Sequence, residues 1–145
     1  MKIIEQCILF CFGAVFYGLI EVVWRGYTHW SMLIAGGVCF LIVGLINRHI
    51  GDRVRFPILC VISGTAITAV EFAVGVIVNL WLGFDVWDYS GLPLNILGQV
   101  SLPFWVMWIL LSAFALYAER FVRFWMFGDI RYMKRPEKET SADNI

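Results

Sequence analysis

The stretch that decides the fold runs from Phe56 to Leu82 and reads FPILCVISGTAITAVEFAVGVIVNLWL. It is apolar almost throughout and carries a single charged residue, Glu71, well inside it. A helix of this length extends about 40 Å at 1.5 Å per residue, which is enough to cross a bilayer with some tilt. Because a carboxylate in hydrocarbon costs about 2.5–3.5 kcal/mol on insertion scales, Glu71 is a candidate functional residue.

The composition of the whole chain is that of a membrane protein. Of its 145 residues 61% are hydrophobic, and the mean hydropathy is +0.80, whereas a soluble domain is nearer half apolar. The formal net charge is zero, and no acidic or basic tract is suited to binding nucleic acid. Walker A, G-x-S-x-G, H-E-x-x-H and Rossmann glycine motifs are absent from the sequence, so an ATP-driven role would need a separate ATPase subunit.

We predict an all-α polytopic membrane protein with four transmembrane helices in one integral membrane domain, residues 1–135. The spans cover about residues 7–24, 30–46, 56–82 and 101–118, and residues 136–145 form a disordered cytoplasmic tail. The start of the chain resembles a signal peptide. However, the apolar run continues to Trp24 and includes Glu21, so we interpret it as a retained first helix.

The distribution of basic residues predicts the topology. Basic residues occur at Lys2, three times as arginine in residues 47–55, and again in residues 131–135. Glu119, Arg120 and Arg123 follow the fourth apolar run and are expected at the inner membrane surface. Since cytoplasmic loops carry an excess of Lys and Arg, these segments and both termini are expected inside the cell, which makes this a multi-pass cell-membrane protein. Residues 26–29 and 83–98 are then expected outside.

Small side chains line one face of the first and third spans, and each stripe includes a glutamate. The first stripe is Cys7, Cys11, Ala14, Gly18, Glu21 and Arg25; the second is Cys60, Gly64, Thr68, Glu71 and Gly75. Small residues let helices approach closely in lipid. The matching stripes predict a repeat of two helical hairpins, although chance similarity between helices rich in small residues explains them equally well.

Residues 83–98 (GFDVWDYSGLPLNILG) form the most unusual segment, because it is aromatic, acidic and rich in turn residues, and contains no Lys or Arg. Its rings suit a membrane–water interface. Glu21 and Glu71 are expected at similar depth beneath it. We therefore predict an acidic pocket open to the outer side. The predicted binding residues are Glu21, Glu71, Trp87, Asp88, Tyr89 and Asn95.

Three functions fit this pocket. The first is transport-related binding of a cation, an amphipathic small molecule or a lipid. The second is a membrane enzyme or metal site in which Glu21, Glu71, Asp88 and His29 act as bases or ligands. The third is an assembly partner with a structural Glu71, and for Glu21 a salt bridge to Arg25 is an equal alternative. The residues indicate no particular cofactor or metal.

Four segments carry a resemblance to a known family. They are Tyr17-Gly18-x-x-Glu21; Gly36-Gly37 leading to Gly44-Leu45-Ile46-Asn47; Ile67-Thr68-x-x-Glu71-Phe72-x-x-Gly75 followed by Asn79; and Trp87-Asp88-Tyr89-Ser90-Gly91-Leu92-Pro93-Leu94-Asn95-Ile96-Leu97-Gly98-Gln99. The chain resembles the ABC-transporter type IV (CmpB-like) family of small prokaryotic membrane proteins.

The resemblance implies a permease-related protein. Its partners would be membrane lipid and either further copies of the chain or a separate transporter subunit, with no nucleic acid. The positions that the resemblance carries over are Glu21, Glu71, Trp87, Asp88, Tyr89, Ser90, Asn95 and Gly98.

Overall fold

Four apolar helices account for most of the computed structural model, which describes residues 2–128. They are α1 (Ile3–Arg25), α2 (Trp30–Ile50), α3 (Phe56–Gly75) and α4 (Leu102–Phe127), and a π-helical turn, Val76–Trp81, continues α3. With that turn included, each is long and apolar enough to cross a membrane. Within residues 2–128 there is no β-strand. The prediction of an all-α membrane protein with four spans is confirmed. The predicted tail, residues 136–145, and the basic residues 131–135 lie outside the described residues.

Glycine and proline set several of the helix boundaries. Gly26 follows the last residue of α1 and Gly128 follows the last residue of α4, with φ angles of 79° and 63°. A residue with a side chain rarely adopts this left-handed conformation, which stops a helix. Pro57 and Pro103 lie in the first turns of α3 and α4, where the missing N–H of proline has no helical partner to lose.

α2 lies at the centre of the bundle. α1 packs mainly on α2 and α3 mainly on α4, while α2 also contacts α3 and α4. More than half of the apolar window of α2, 56%, is buried, against 17% for α1. The bundle is therefore two hairpins joined through α2, with α1 at the periphery. Whether the two hairpins are a sequence repeat stays a prediction.

Glycine allows the closest helix contacts. A Cβ atom at Gly64 would lie 2.6 Å from the Cα of Ile109, so α3 and α4 meet backbone to backbone there. At the crossing of α1 and α2, a Cβ on Gly36 would run into Tyr17. Close backbone approach increases the van der Waals contact between helices. This contact matters in lipid because the hydrophobic effect does not drive helices together there.

The structure corrects the start of the predicted packing face of α1, while Gly18 of that face is buried as predicted. Its buried residues are Leu9, Gly13 and Gly18, whereas Cys7 and Cys11 are exposed. The physical reason is that the glycine crossing with α2 sets the rotation of α1, and this turns the two cysteines outward. The stripe on α3 is different, since Cys60, Gly64, Glu71 and Gly75 are all buried as predicted.

Two helices extend further than the apolar pattern indicates. α2 continues to Ile50, so Asn47 is helical and the basic loop is confined to residues 51–55. α4 continues to Phe127, well past Ala118. As a consequence, polar residues that the sequence placed at the membrane surface are part of the helix bundle.

Candidate functional site

Residues 82–101, here called the cap, fold over the end of the bundle where α1 and α3 finish. Asn79, in the π-helical turn, donates from Nδ2 to Gln99 Oε1 (2.7 Å), and its Oδ1 accepts from the backbone N–H of Val86 (2.8 Å). The indole N–H of Trp87 donates to the carbonyl of Gln99 (3.0 Å). π-helical turns often occur at functional sites, and this one carries the buried Asn79 that anchors the cap.

The cap has a fixed backbone conformation. Asp85, Leu94 and Leu97 have positive φ angles of 47°, 50° and 52°, which are uncommon for residues other than glycine. The backbone N–H of Tyr89 donates to the carbonyl of Gly98 (2.7 Å) and closes the turn-rich segment between them. Such conformations persist only where surrounding contacts determine them, so the cap is a folded element of the protein.

A cavity of about 510 Å³ lies between the cap, the last turns of α1 and the first turn of α4. Its volume falls in the range of small-molecule sites, about 300–1,000 Å³. Two carboxylates, one guanidinium and several aromatic rings line it. The lining residues are Glu21, Trp24, Arg25, Tyr27, Met32, Val86, Trp87, Asp88, Tyr89, Gly91, Leu92 and Phe104. The charged groups in the wall sum to one negative charge.

Glu21 is held by an ion pair and also faces the cavity. Its Oε2 accepts from Arg25 Nε (2.8 Å) and Arg25 Nη2 (2.5 Å), and the two side chains are 14% and 21% exposed. Arg25 Nη1 donates to the carbonyl of Val86 (2.8 Å), and the guanidinium lies 4.9 Å from the ring centre of Tyr27. The pair therefore fastens the cap to α1 and at the same time places a carboxylate in the cavity wall.

Glu71 is buried behind the cavity wall, with 5% of its surface exposed. Its Oε1 accepts from the hydroxyl of Tyr89 (3.1 Å), and its Oε2 accepts from the indole N–H of Trp108 (2.9 Å). Both carboxylate oxygens are thus occupied by protein donors. Since Tyr89 also lines the cavity, its hydroxyl connects Glu71 to it.

Tyr89 is hydrogen-bonded to Glu71 and lines the same cavity as Glu21. Burial raises the pKa of its phenol above the ordinary value; Glu71 and Glu21 act in the same direction, and Arg25 opposes them. The ring stacks on Phe104 of α4, with ring centres 4.3 Å apart. The phenol therefore stays protonated and remains a hydrogen-bond donor to Glu71.

Asp88 and Asn95 hold the cap in shape by different bonds. Asp88 Oδ1 accepts from the backbone N–H of Ser90 (2.8 Å), and this hydrogen bond lowers the pKa of the exposed carboxyl, which stays ionised at neutral pH. Asn95 donates to the carbonyls of Ser90 and Leu92 and accepts from Gly98 N–H. Asp88 lines the cavity, whereas Asn95 does not.

His29 lies outside the cavity wall and serves α2 locally. Its Nδ1 accepts from the backbone N–H of Ser31 (3.3 Å) at the start of α2 and contacts Ser31 Oγ (2.6 Å). In the part of the chain that the structure describes, no group of three His, Cys, Asp or Glu side chains is placed to hold a metal ion. The described residues thus bring together no donor set for the metal alternative.

Sequence reasoning missed several residues of this region. Trp24, Tyr27, Met32 and Phe104 line the cavity, and Trp108 supplies a hydrogen bond to Glu71. Their apolar character made them resemble ordinary membrane-facing or packing residues. The one available signal was an aromatic residue beside a predicted span boundary, and it cannot distinguish a cavity wall from an interface belt. Trp87, which suits such a belt, is instead buried.

A second polar cluster lies at the opposite end of the bundle, between α2 and α4. Glu119 accepts from Asn47 Nδ2 (3.0 Å) and from Arg123, while Arg120 donates to Asn47 Oδ1 (2.9 Å). Glu119 is fully buried, and Asn47 and Arg123 are each 3% exposed. Glu119 and Arg123, which we predict at the inner membrane surface, thus point inward toward α2, where Gly44 leaves room for Glu119.

Comparison with protein families matches most of the chain. The family model described as "Putative ABC-transporter type IV" matches residues 4–133 of the chain. No curated protein and no solved structure matches significantly. The matched range includes all four helices, the cap and the residues that line the cavity.

Proposed function

This chain belongs to the ABC-transporter type IV family, and from that premise we propose that its cavity binds a cationic or amphipathic small molecule during transport. The observation that carries the proposal is the composition of the cavity wall, where Glu21 and Asp88 lie among aromatic rings. Carboxylates attract a cation by charge, and the faces of Trp and Tyr rings add a cation–π contribution. A net negative, ring-lined wall selects against anions.

The proposed roles of the six predicted binding residues differ. Glu21 and Asp88 supply charge, and Trp87 and Tyr89 supply ring surface, since all four line the cavity. Glu71 acts through Tyr89, whose hydroxyl it orients. Asn95 is proposed to act indirectly, by holding the cap in its folded form.

We expect Asp88→Asn to weaken the binding of tetraethylammonium several-fold, since it removes one of the two carboxylates in the cavity wall. The asparagine keeps an oxygen for the N–H of Ser90, so the cap should retain its fold. Quenching of tryptophan fluorescence reports binding, because Trp24 and Trp87 line the cavity.

Asp85→Asn is the matched control for this experiment. Asp85 is exposed in the same cap and does not line the cavity, and asparagine tolerates its positive φ of 47°. It should leave the affinity unchanged. Equal affinities for the unaltered protein and both variants would contradict the proposed cavity site.

We further propose that both termini are cytoplasmic and that the cap faces the outer side, on the basis of the arginine-rich segment at residues 47–55. The test is labelling of single cysteines with an impermeant maleimide in intact cells, after the native cysteines are replaced. Ser90→Cys should label from outside, whereas Asp52→Cys should label only after the cells are opened. Labelling of Ser90→Cys only in opened cells would reverse the topology.

A second function, assembly partner, is favoured by the saturated hydrogen bonding of Glu71. Both of its oxygens accept from side chains of the protein, Tyr89 and Trp108, as a purely structural acid would. Large apolar side chains such as Phe114 and Phe121 are also exposed on α4. A further copy of the chain or a transporter subunit would cover them in place of lipid. Native mass spectrometry of the membrane-extracted protein would show the copy number and any subunit; a monomer that purifies alone would contradict this alternative.

A further inference from the structure

A narrow apolar cleft follows the seam between α1 and α4. Phe16, Tyr17 and Ile20 of α1 form one wall, Leu111 and Ala115 of α4 form the other, and α2 supplies the floor. Its volume is about 50 Å³. α1 has little contact with α4, so the cleft lies at a seam in the part of the bundle that faces the hydrocarbon of the bilayer.

The cleft adjoins the cavity under the cap. Ile20 lines the cleft, and the next residue, Glu21, lines the cavity. Tyr17 and Trp108 border the cleft and also enclose a void of about 10 Å³, whose wall includes Trp87 of the cavity. The charged, ring-lined cavity and the apolar cleft therefore lie next to each other along α1, with Tyr17 and Trp108 between them.

We propose that the cavity and the cleft together bind one bilayer lipid with an ammonium-bearing head group, the head group in the cavity and one acyl chain in the cleft. The proposal rests on the proposed function of the cavity and names its substrate class. The cavity wall carries a net negative charge from Glu21, Arg25 and Asp88, which complements an ammonium group. Its aromatic rings fit the same group by cation–π contact.

The cleft fits one chain of that lipid. Its wall is almost entirely apolar, which suits a hydrocarbon chain and not a polar solute. One water molecule needs about 10–15 Å³ of cavity volume. The cleft therefore has room for a few methylene groups in single file. The second chain of a two-chain lipid would remain in the bilayer, which is continuous with the seam.

The experiment is a native mass spectrometry titration of the full chain with three probes. They are a palmitoyl lysophospholipid with an ethanolamine head group, the same lipid with a glycerol head group, and soluble ethanolamine, which is a cation at neutral pH. Ile20→Trp fills the cleft and should weaken the binding of the ethanolamine lipid several-fold, because the acyl chain can no longer pack there. It should leave the affinity for soluble ethanolamine unchanged.

Leu19→Trp is the matched control, because Leu19 is the neighbouring residue, is 60% exposed and does not line the cleft. It should change neither affinity. If Ile20→Trp does not fold, Ala115→Leu fills the cleft from the α4 wall and should give the same loss.

The outcomes separate this proposal from the proposed function of the cavity. If the cleft-filling variants bind the ethanolamine lipid normally while Asp88→Asn weakens it, the cleft assignment is overturned and the cavity stands. If Asp88→Asn also has no effect, both fail. Equal binding of the glycerol lipid would overturn the choice of an ammonium head group.

Discussion

Glu119→Leu is expected to lower the free energy of unfolding by about 3–5 kcal/mol, the range measured when one partner of a buried ion pair is removed. Glu119 is fully buried and accepts hydrogen bonds from Asn47 and Arg123. The leucine removes the carboxylate that both donors use, and both donors are only 3% exposed. Denaturation of the detergent-solubilised protein, followed by far-UV circular dichroism, measures the change.

Two variants calibrate this result. Glu119→Gln keeps one acceptor oxygen and should cost less than the leucine variant. Glu5→Leu makes the same side-chain change in the first turn of α1, where no ion pair is seen in the described structure. It should cost less than about 1 kcal/mol, the usual size of a charge effect at a helix end. Similar losses for Glu119→Leu and Glu5→Leu would show that the α2–α4 cluster does not stabilise the bundle.

Glu71→Leu is expected to lower the free energy of unfolding by about 2–6 kcal/mol, because each of two buried donors left without an acceptor costs about 1–3 kcal/mol. The donors are the hydroxyl of Tyr89 and the indole N–H of Trp108. The loss should also loosen the cap, since Tyr89 is one of its contacts with α3. Thermal unfolding followed by circular dichroism reports stability, and proteolysis within residues 82–101 reports the cap.

A double-mutant cycle identifies the origin of that loss. Tyr89→Phe and Trp108→Phe remove the two donors one at a time, and each combined with Glu71→Leu should give less than the sum of the single effects. Additive losses would mean that the hydrogen bonds do not contribute.

Glu71→Gln distinguishes a functional from a structural acid. The amide keeps the shape of the side chain and one acceptor oxygen but removes the charge. If Glu71 supports binding through Tyr89, the folded variant should bind tetraethylammonium more weakly. Unchanged binding together with lower thermal stability would assign Glu71 to the structure alone and favour the assembly-partner alternative.

The features that the sequence predicted well are those set by the bilayer. An apolar run of sufficient length must form a helix there, because every backbone N–H and C=O needs a partner within the segment. Four such runs were evident, and the single acid in the third run, Glu71, was expected inside the bundle, where it is found. Burial of this acid follows from the cost of exposing it to lipid, which does not depend on which helix covers it.

The features that the sequence did not predict depend on which helix packs against which. In α1, small residues occur on more than one face, and the sequence cannot tell whether Cys7 and Cys11 or Gly13 will meet α2. Near the ends of α2 and α4, charged residues indicated a membrane surface. Packing instead buried Glu119, because Asn47 and Arg123 satisfy its oxygens.

By itself, the sequence of this protein determined four helices, a buried acid in the third and a turn-rich aromatic segment, since local composition and the chemistry of the bilayer fix all three. Only the tertiary structure decided that Tyr89 joins Glu71 to the cavity, that Arg25 of α1 holds the cap, and that the α1–α4 seam contains a cleft. Those features require residues far apart in the chain to meet in one geometry. The spacing of residues along a single helix does not show which residues of the other helices they will contact.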